Sequence, residues 1–428
     1  MTKNPKSSFR TNVSGVIRDT VMKVRDRYHP IVWVHFWLTM SRCITGFMMY
    51  PYLVVYMTEQ LGASVVAAAG AISFPSFLSM FFKLWAGNVS DRFGRRPVLL
   101  FVPMLQFLML TGMMFANEVW HFYVLLTLNG LVFNLYTPAE SAQITDVVPE
   151  QERTEAFALN NVAINIGATL GPLLGIAAYH FNPTLIFGGE AAVTLLTAAL
   201  VYFKVPETKP DHVEKPAEQV SKGSVFRGLG SHFPLLLLIV LTVPAFMVEM
   251  QMNSTMPLYL KTQFVDYLFI YGTLRTTTGI LTVVLQMPVT LWSKKWQAKR
   301  VVLVGYSLLV AYSLFYGFTP FFWILVIAEA CWTLTDMLLF PRLKQIVSVM
   351  ADPKVRARYF SLFDISLSVA KMTAPVLGSM VLVQYGGKAL FGGLAVLLLL
   401  AGVCQVILVS RVLSPDSGKK EQAPEMTG

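Results

Sequence analysis

The chain has 428 residues, of which 55% are hydrophobic and only 14% are charged. This balance excludes an ordinary water-soluble domain and is typical of a membrane protein with many spans. The formal net charge of +10 does not by itself indicate a nucleic-acid partner, because the basic residues follow the pattern of a membrane topology.

Twelve apolar segments follow one another along the chain, and a helix needs about 20 apolar residues to cross a bilayer. The segments are 31–57, 64–86, 97–116, 121–145, 157–179, 184–203, 234–258, 267–292, 301–318, 321–346, 359–384 and 388–410. They lack the alternation of polar and apolar residues that marks membrane strands, so helices must satisfy the backbone in lipid. The sequence therefore predicts an all-α membrane protein with twelve transmembrane helices.

The distribution of Lys and Arg predicts the orientation of these helices. The tails and loops on the side of the N-terminus hold 28 of the 34 Lys and Arg residues, whereas the opposite loops hold only Lys261 and Lys388. Basic residues accumulate on the cytoplasmic side of membrane proteins. We therefore expect both termini in the cytoplasm, and no nucleic acid as a partner.

Composition divides the chain into five parts. Residues 1–30 are basic and form either an amphipathic helix on the membrane surface or a partly disordered tail. Six apolar segments (31–203) precede a charged stretch rich in Pro and Gly (204–232), which predicts a cytoplasmic linker. Six further segments (233–412) follow, and the polar tail 413–428 is expected to be disordered.

The two sets of six segments resemble each other, because six residues recur at an offset of 203. The pairs are Pro138 and Pro341, Arg153 and Arg356, Phe157 and Phe360, Leu159 and Leu362, Pro172 and Pro375, and Gly175 and Gly378. Pro51 and Pro257 align the first segment of each set. This repetition predicts two parallel, pseudo-symmetric six-helix bundles with a substrate site between them at mid-membrane.

A dense charged turn, GNVSDRFGRRPV, joins the second and third apolar segments. Its candidate switch residues are Gly87, Asp91, Arg92, Gly94, Arg95 and Arg96. Gly94 permits a tight turn, and the charges can form a cluster that holds one conformation shut. Asp146, at the end of segment four, is placed to receive Arg92 or Arg95. The alternative is a plain basic loop on the cytoplasmic side.

This turn resembles the most diagnostic signature of the major facilitator superfamily, and the resemblance extends over about residues 30–412. Segment five contains NIGATLGPLLG, which resembles the motif associated with the antiporters of that family. Its residues are Gly167, Gly171, Pro172 and Gly175. Close helix packing is the alternative role for such glycines. The sequence differs from the family pattern at one position: Leu126 stands where many family antiporters carry an Arg on segment four.

Ionisable residues inside the apolar segments are candidates for proton coupling or substrate binding, because they are costly in a bilayer. They are Arg42, Glu140, Glu249, Glu329 and Asp336. We expect Glu249, Glu329 or Asp336 to bind and release a proton. Arg42 would hold an anionic cargo group or a carboxylate. Static buried ion pairs are the alternative; for Arg275, Asp364 and Lys371 we expect such a structural role.

The resemblance implies a monomeric, proton-coupled secondary transporter in the cytoplasmic membrane of a bacterium. Its expected activity is multidrug or amphiphile efflux by alternating access, with a proton gradient in place of any cofactor or metal. A loop of the type GxxxxGK[ST], which would bind ATP phosphates, is absent from the sequence.

Two rival interpretations remain open at this point. A proton-coupled transporter of a sugar, peptide or organic anion keeps the same fold. Arg42 favours anionic cargo, whereas the excess of acids in the spans favours cationic or neutral cargo. A membrane enzyme or receptor is disfavoured, because the six histidines are scattered along the chain.

Overall fold

The computed structural model describes residues 29–209, 233–350 and 356–412, and all regular secondary structure in these ranges is helical. Most of the predicted N-terminal tail, most of the predicted linker and the predicted C-terminal tail lie outside the described residues. The amphipathic helix and the disordered tail therefore stay predictions.

Twelve spans run through the described chain. Span one comprises the helix Pro30–Met49, the 3-10 turn Tyr50–Tyr52 and the helix Leu53–Glu59. Spans two to six are Val65–Phe93, Arg95–Met114, Val119–Val147, Arg153–Phe181 and Leu185–Lys204. Span seven comprises Phe233–Asn253 and Met256–Gln263, and spans eight to ten are Tyr267–Ser293, Ala298–Phe318 and Phe322–Met350. Spans eleven and twelve share Arg356–Val412 and meet at Gly386, which has φ 81° and ψ 176°.

By length and hydropathy, ten helices of the described residues are able to cross a membrane. The last of them, Leu362–Arg411, has 50 residues and breaks at Gly386, so it supplies two spans of roughly the required length. Span one is not among the ten, because His35 and Arg42 lower the hydropathy of its first helix. With span one and this division, the predicted twelve-span, all-helical fold is confirmed.

Helix packing repeats between the two halves of the chain. In the first half, span one packs on span five and span two on span four; in the second half, span seven packs on span eleven and span eight on span ten. The two largest contacts between the halves are those of span five with span eight and of span two with the helix that contains spans eleven and twelve. The halves are therefore two similar six-helix bundles.

Spans one and seven are interrupted at matching places. Pro51 lies in the 3-10 turn of span one, and Pro257 lies in the first turn of the second helix of span seven. Proline lacks the backbone N–H that an interior helical residue donates, so it begins a helical segment more readily than it continues one. The alignment of these two prolines in the sequence thus corresponds to a shared structural feature.

Candidate functional site

The turn between spans two and three forms one end of the molecule, which we term the motif end. Gly94 has φ 100°, a left-handed value that favours glycine, and it directly precedes span three. The guanidinium Nε of Arg95 lies 3.2 Å from Oδ2 of Asp146 on span four, and the Arg95 side chain is buried. Asp146 therefore receives Arg95, one of the two partners predicted for it.

Arg92, the other predicted partner, makes different contacts. Its guanidinium lies 5.5 Å from the ring centre of Phe93, and its backbone carbonyl accepts a hydrogen bond from Lys209 Nζ. Gly87 and Asp91 belong to the helix of span two, but the Asp91 side chain lies outside the described part of the chain. Its place in the charge cluster stays a prediction.

Glu207 completes the motif end, and the sequence did not identify it. Its carboxylate accepts hydrogen bonds from the backbone N–H groups of Arg95 (2.9 Å) and Arg96 (3.1 Å). Burial opposes ionisation, but these donors hold the pKa of Glu207 below its ordinary value. The neighbouring Thr208 hydroxyl donates to Asp146. The start of the predicted linker thus folds onto the candidate switch.

The glycines of the predicted antiporter motif face span one. A methyl group added at Gly167, Gly171 or Gly175 would overlap atoms of span one. The carbonyl of Pro172 accepts a hydrogen bond of 2.8 Å from the Tyr52 hydroxyl. All four residues therefore support a close helix contact inside the first bundle, which was the alternative role considered for them.

Small residues also mark the contact between the bundles. On span eight, Gly272 lies against Ile176 and Gly279 lies against Thr169, both of span five, and neither glycine position has room for a Cβ atom. Small residues at these positions let the helices of the two bundles approach closely.

Arg42 points into the first bundle. Its Nη2 donates to Gln106 Oε1 at 3.3 Å, and its guanidinium carbon lies 3.7 Å from the ring centre of Tyr136. Gln106 in turn donates to Asn129 Oδ1 at 3.1 Å. These contacts with spans three and four occupy part of the hydrogen-bonding capacity of Arg42.

Glu140 forms a second polar group between spans one and four. Its carboxylate lies 3.3 Å from His35 Nδ1 and accepts a hydrogen bond of 2.8 Å from the Thr39 hydroxyl. His35 Nε2 is also within 2.7 Å of Gln143 Oε1. The buried carboxylate is therefore well satisfied by neighbouring side chains.

Glu329 is fully enclosed in the second bundle. It accepts hydrogen bonds from the hydroxyls of Tyr316 (2.6 Å) and Thr278 (2.5 Å), and Arg275 Nη1 lies 3.6 Å from its Oε2. The side chain of Glu329 has no exposed surface. These contacts tie together spans eight, nine and ten, and Arg275 has the structural role expected for it.

Glu249 and Asp336 differ from Glu329 in the surface that their side chains expose. Asp336 is exposed and Glu249 is partly exposed. The charged side chains that act electrostatically on Glu249 are Asp336, Lys371 and Arg275. Ionisable groups from spans seven, eight, ten and eleven therefore converge at this place. Within the described ranges, His, Cys, Asp and Glu side chains form no group of three or more that could hold a metal ion.

A cluster that we term the latch joins the bundles at the end opposite the motif end. Lys261 Nζ and the Tyr267 hydroxyl, both of the second bundle, lie 2.5 Å from Glu59 Oε1 of the first. The Tyr179 hydroxyl donates to Glu59 Oε2 at 3.1 Å. Glu59 is the last residue of span one.

Sequence reasoning missed the latch, although one signal for it was present. Lys261 is one of only two basic residues in the loops on its side, and Glu59 is an acid directly after an apolar segment on that same side. Their pairing spans 202 residues of sequence, so no local pattern reveals it.

Comparison with known proteins agrees with this architecture. The sequence profile of the Major Facilitator Superfamily matches residues 36–273 and again residues 268–427. The chain is similar in structure to the POT family transporter PepTSo, with a TM-score of 0.75, 14% sequence identity, and coverage of 92% of this chain and 99% of that one. At this identity the likeness concerns the fold alone.

Three relatives in sequence come from bacteria. The uncharacterized MFS-type transporter YhjO of Bacillus subtilis (strain 168) is 30% identical over 91% of this chain and 96% of that protein. The Na(+), Li(+), K(+)/H(+) antiporter of Planococcus maritimus is 26% identical over 77% of this chain and 84% of its own. The multidrug resistance protein MdtH of Shigella sonnei (strain Ss046) is 25% identical over 40% of this chain and 43% of its own. The chain belongs to the Major Facilitator Superfamily and is a multi-pass membrane transporter rather than an enzyme.

Proposed function

We propose that this transporter exchanges protons for cationic or neutral amphiphiles and so acts as a multidrug efflux antiporter. The observation that carries this proposal is the pair Glu249 and Asp336, two carboxylates with exposed surface on spans seven and ten, where the charge of Asp336 acts on Glu249. Binding either a proton or a cationic group relieves the repulsion between the two negative charges. Such a pair suits the exchange of one for the other.

Two basic side chains near this pair of carboxylates offset part of its negative charge. Lys371 and Arg275 both act on Glu249, so the cluster is not strongly anionic when empty. A cargo with one positive charge and an apolar body fits this balance. Glu329, by contrast, is enclosed by its partners, so it serves in this proposal as a structural tie rather than as the coupling acid.

The name of one relative supports cation–proton exchange, and the name of another supports drugs as cargo. One relative is an antiporter of sodium, lithium and potassium ions against protons, and another is a multidrug resistance protein. Alkali cations are therefore included in the test below as a competing cargo.

We further propose that the latch holds the end opposite the motif end closed and opens during transport. In the structure, the latch connects Glu59 of the first bundle with Lys261 and Tyr267 of the second. Opening at that end requires these hydrogen bonds to break, and the Arg95–Asp146 cluster would hold the first bundle rigid while it rotates.

The alternative cargo classes are a sugar, a peptide or an organic anion. This alternative requires Arg42 to bind the cargo. Because Arg42 instead contacts Gln106 and Tyr136, no observed geometry favours it.

The remaining parts of the proposal concern location and assembly. We propose a monomer in the cytoplasmic membrane of a bacterium with both termini in the cytoplasm, as the distribution of basic residues predicts. The proton gradient supplies the driving force, without a cofactor.

Reconstitution into liposomes tests the proposal. A pH gradient imposed across the liposomes is expected to drive accumulation of lipophilic cations, and uptake of alkali cations, dipeptides, sugars and organic anions is measured alongside. The proposal predicts proton-dependent flux for the lipophilic cations. Gradient-dependent flux of dipeptides, sugars or organic anions, without flux of lipophilic cations, would favour the alternative.

A further inference from the structure

The loop between spans eight and nine forms a basic surface at the motif end. Its sequence at 292–300, WSKKWQAKR, contains four basic residues and no acid. Lys294, Lys295, Lys299 and Arg300 are all exposed, and in the described part of the chain none of them pairs with a carboxylate. We term residues 292–300 the basic loop.

The conformation of the basic loop is fixed by hydrogen bonds from span ten and by contacts of its two tryptophans. Arg342 on span ten donates to the backbone carbonyls of Ser293 (2.9 Å) and Trp296 (3.3 Å). The rings of Trp292 and Trp296 lie 4.5 Å apart, and the Arg300 guanidinium lies 4.8 Å from the centre of the Trp296 ring. The loop is thus a preformed surface whose four charges point outwards.

An apolar stripe on span eight leads directly to this loop. The stripe has helical spacing and consists of Ile280, Val284, Met287 and Leu291, all of which are exposed. Trp292 continues it at the end of the helix and is 64% exposed. Tryptophan at a span end is typical of the boundary between acyl chains and headgroups.

The corresponding turn between spans two and three uses its basic residues differently. Arg95 pairs with Asp146, and Arg96 donates to the backbone carbonyl of Tyr202 at 2.8 Å. Those charges stabilise contacts within the protein. The basic loop has similar positive charges but lacks the aspartate and both glycines. Among the described residues, it makes no such ion pair.

We propose that the basic loop and the stripe on span eight bind an anionic phospholipid of the leaflet at the motif end. The ammonium groups and the Arg300 guanidinium contact the headgroup phosphate, while the acyl chains lie along the stripe. The tryptophans mark the depth of the glycerol region. This site is independent of the cargo and of proton coupling.

Native mass spectrometry of the full-length transporter tests the site with phosphatidylglycerol and phosphatidylcholine as probes. The wild type is expected to retain phosphatidylglycerol in preference to phosphatidylcholine. The variant Lys294→Gln/Lys295→Gln/Lys299→Gln/Arg300→Gln should lose about ten-fold or more in phosphatidylglycerol affinity, since each basic residue near an anionic surface contributes to attraction. Inorganic phosphate should not displace the lipid, because it lacks acyl chains.

The matched control is Lys388→Gln, which removes an exposed basic charge at the opposite end. It should retain phosphatidylglycerol as the wild type does. Equal retention by the fourfold variant and the wild type, or equal loss in the control, would overturn the proposal.

A second measurement covers the case in which the fourfold variant does not fold. Brominated phosphatidylglycerol should quench the tryptophan fluorescence of the wild type more than brominated phosphatidylcholine does, and Trp292→Phe should remove most of that difference. An unchanged difference in Trp292→Phe would place the lipid elsewhere and contradict the proposal.

Discussion

Glu207 provides a hydrogen-bond acceptor at the start of span three, which Gly94, the residue before that span, cannot provide. Gly94 precedes span three and has no side chain to cap the helix, so the first N–H groups of the span need another acceptor. The Glu207 carboxylate fills this role from 112 residues further along the chain, and its negative charge also suits the positive end of the helix dipole.

Glu207→Gln is expected to destabilise the transporter by about 0.5–1 kcal/mol at neutral pH, the low end of capping effects, because the site is partly exposed. The pKa of Glu207 is lowered by folding, so its contribution is present above the ordinary carboxyl pKa and is lost as the pH falls through the lowered value. Thermal unfolding in detergent at several pH values measures this difference. Glu150→Gln, an exposed acid at the same end, is the control. A difference between Glu207→Gln and the wild type that grows at acidic pH would contradict this account.

Glu329→Gln should destabilise the second bundle without abolishing proton coupling. The change leaves Arg275 without its anionic partner, and breaking a buried pair costs about 3–5 kcal/mol. Unfolding measurements check the loss of stability. Gradient-driven transport by the folded fraction checks that proton coupling remains. A stable variant that has lost coupling would identify Glu329 as the coupling acid instead.

At the scale of whole helices, the contact between spans one and five depends on small residues. A Cβ at Gly171 would lie 2.6 Å from the Cβ of Phe47, whereas a Cβ at Gly46 meets nothing within 4 Å. Both glycines lie inside helices, so an alanine at either position gains similar helix propensity.

Gly171→Ala should therefore lower the thermal stability and the transport rate, because spans one and five must separate by several tenths of an ångström. Gly46→Ala should leave both unchanged or raise stability by up to about 1 kcal/mol. Thermal unfolding and transport assays on the two variants provide the comparison. Equal behaviour would show that the close contact is not required.

The number and type of the helices could be predicted from the sequence, because membrane-length apolar runs and repeated prolines are local patterns. The partners of the charged residues could not. Glu329 and Asp336 lie seven residues apart on span ten, yet the first is enclosed and the second is exposed. That difference depends on Thr278 and Tyr316, which belong to other spans.

At the scale of the whole molecule, the latch links the two bundles. Lys261 and Tyr267 of the second bundle donate to the Glu59 carboxylate, and Tyr179 of the first bundle donates to its other oxygen. These hydrogen bonds must break before the bundles can separate at this end.

Glu59→Gln should open the latch end, because it removes the negative charge that Lys261 contacts. Distances between spin labels at Gln60 and Gln263, on either side of the latch, report this opening. The exchange Glu59→Lys/Lys261→Glu should restore closure in part, because it keeps the pair but reverses it. Unchanged label distances in Glu59→Gln would show that the latch does not hold the bundles together.

The central claim is that Glu249 and Asp336 couple proton movement to cargo movement between the bundles. The most direct measurement compares two modes of transport by Glu249→Gln and Asp336→Asn in liposomes: exchange of cargo without a gradient, and accumulation driven by a pH gradient. Both variants are predicted to retain exchange and to lose accumulation. Accumulation at the wild-type level in both variants would contradict the claim.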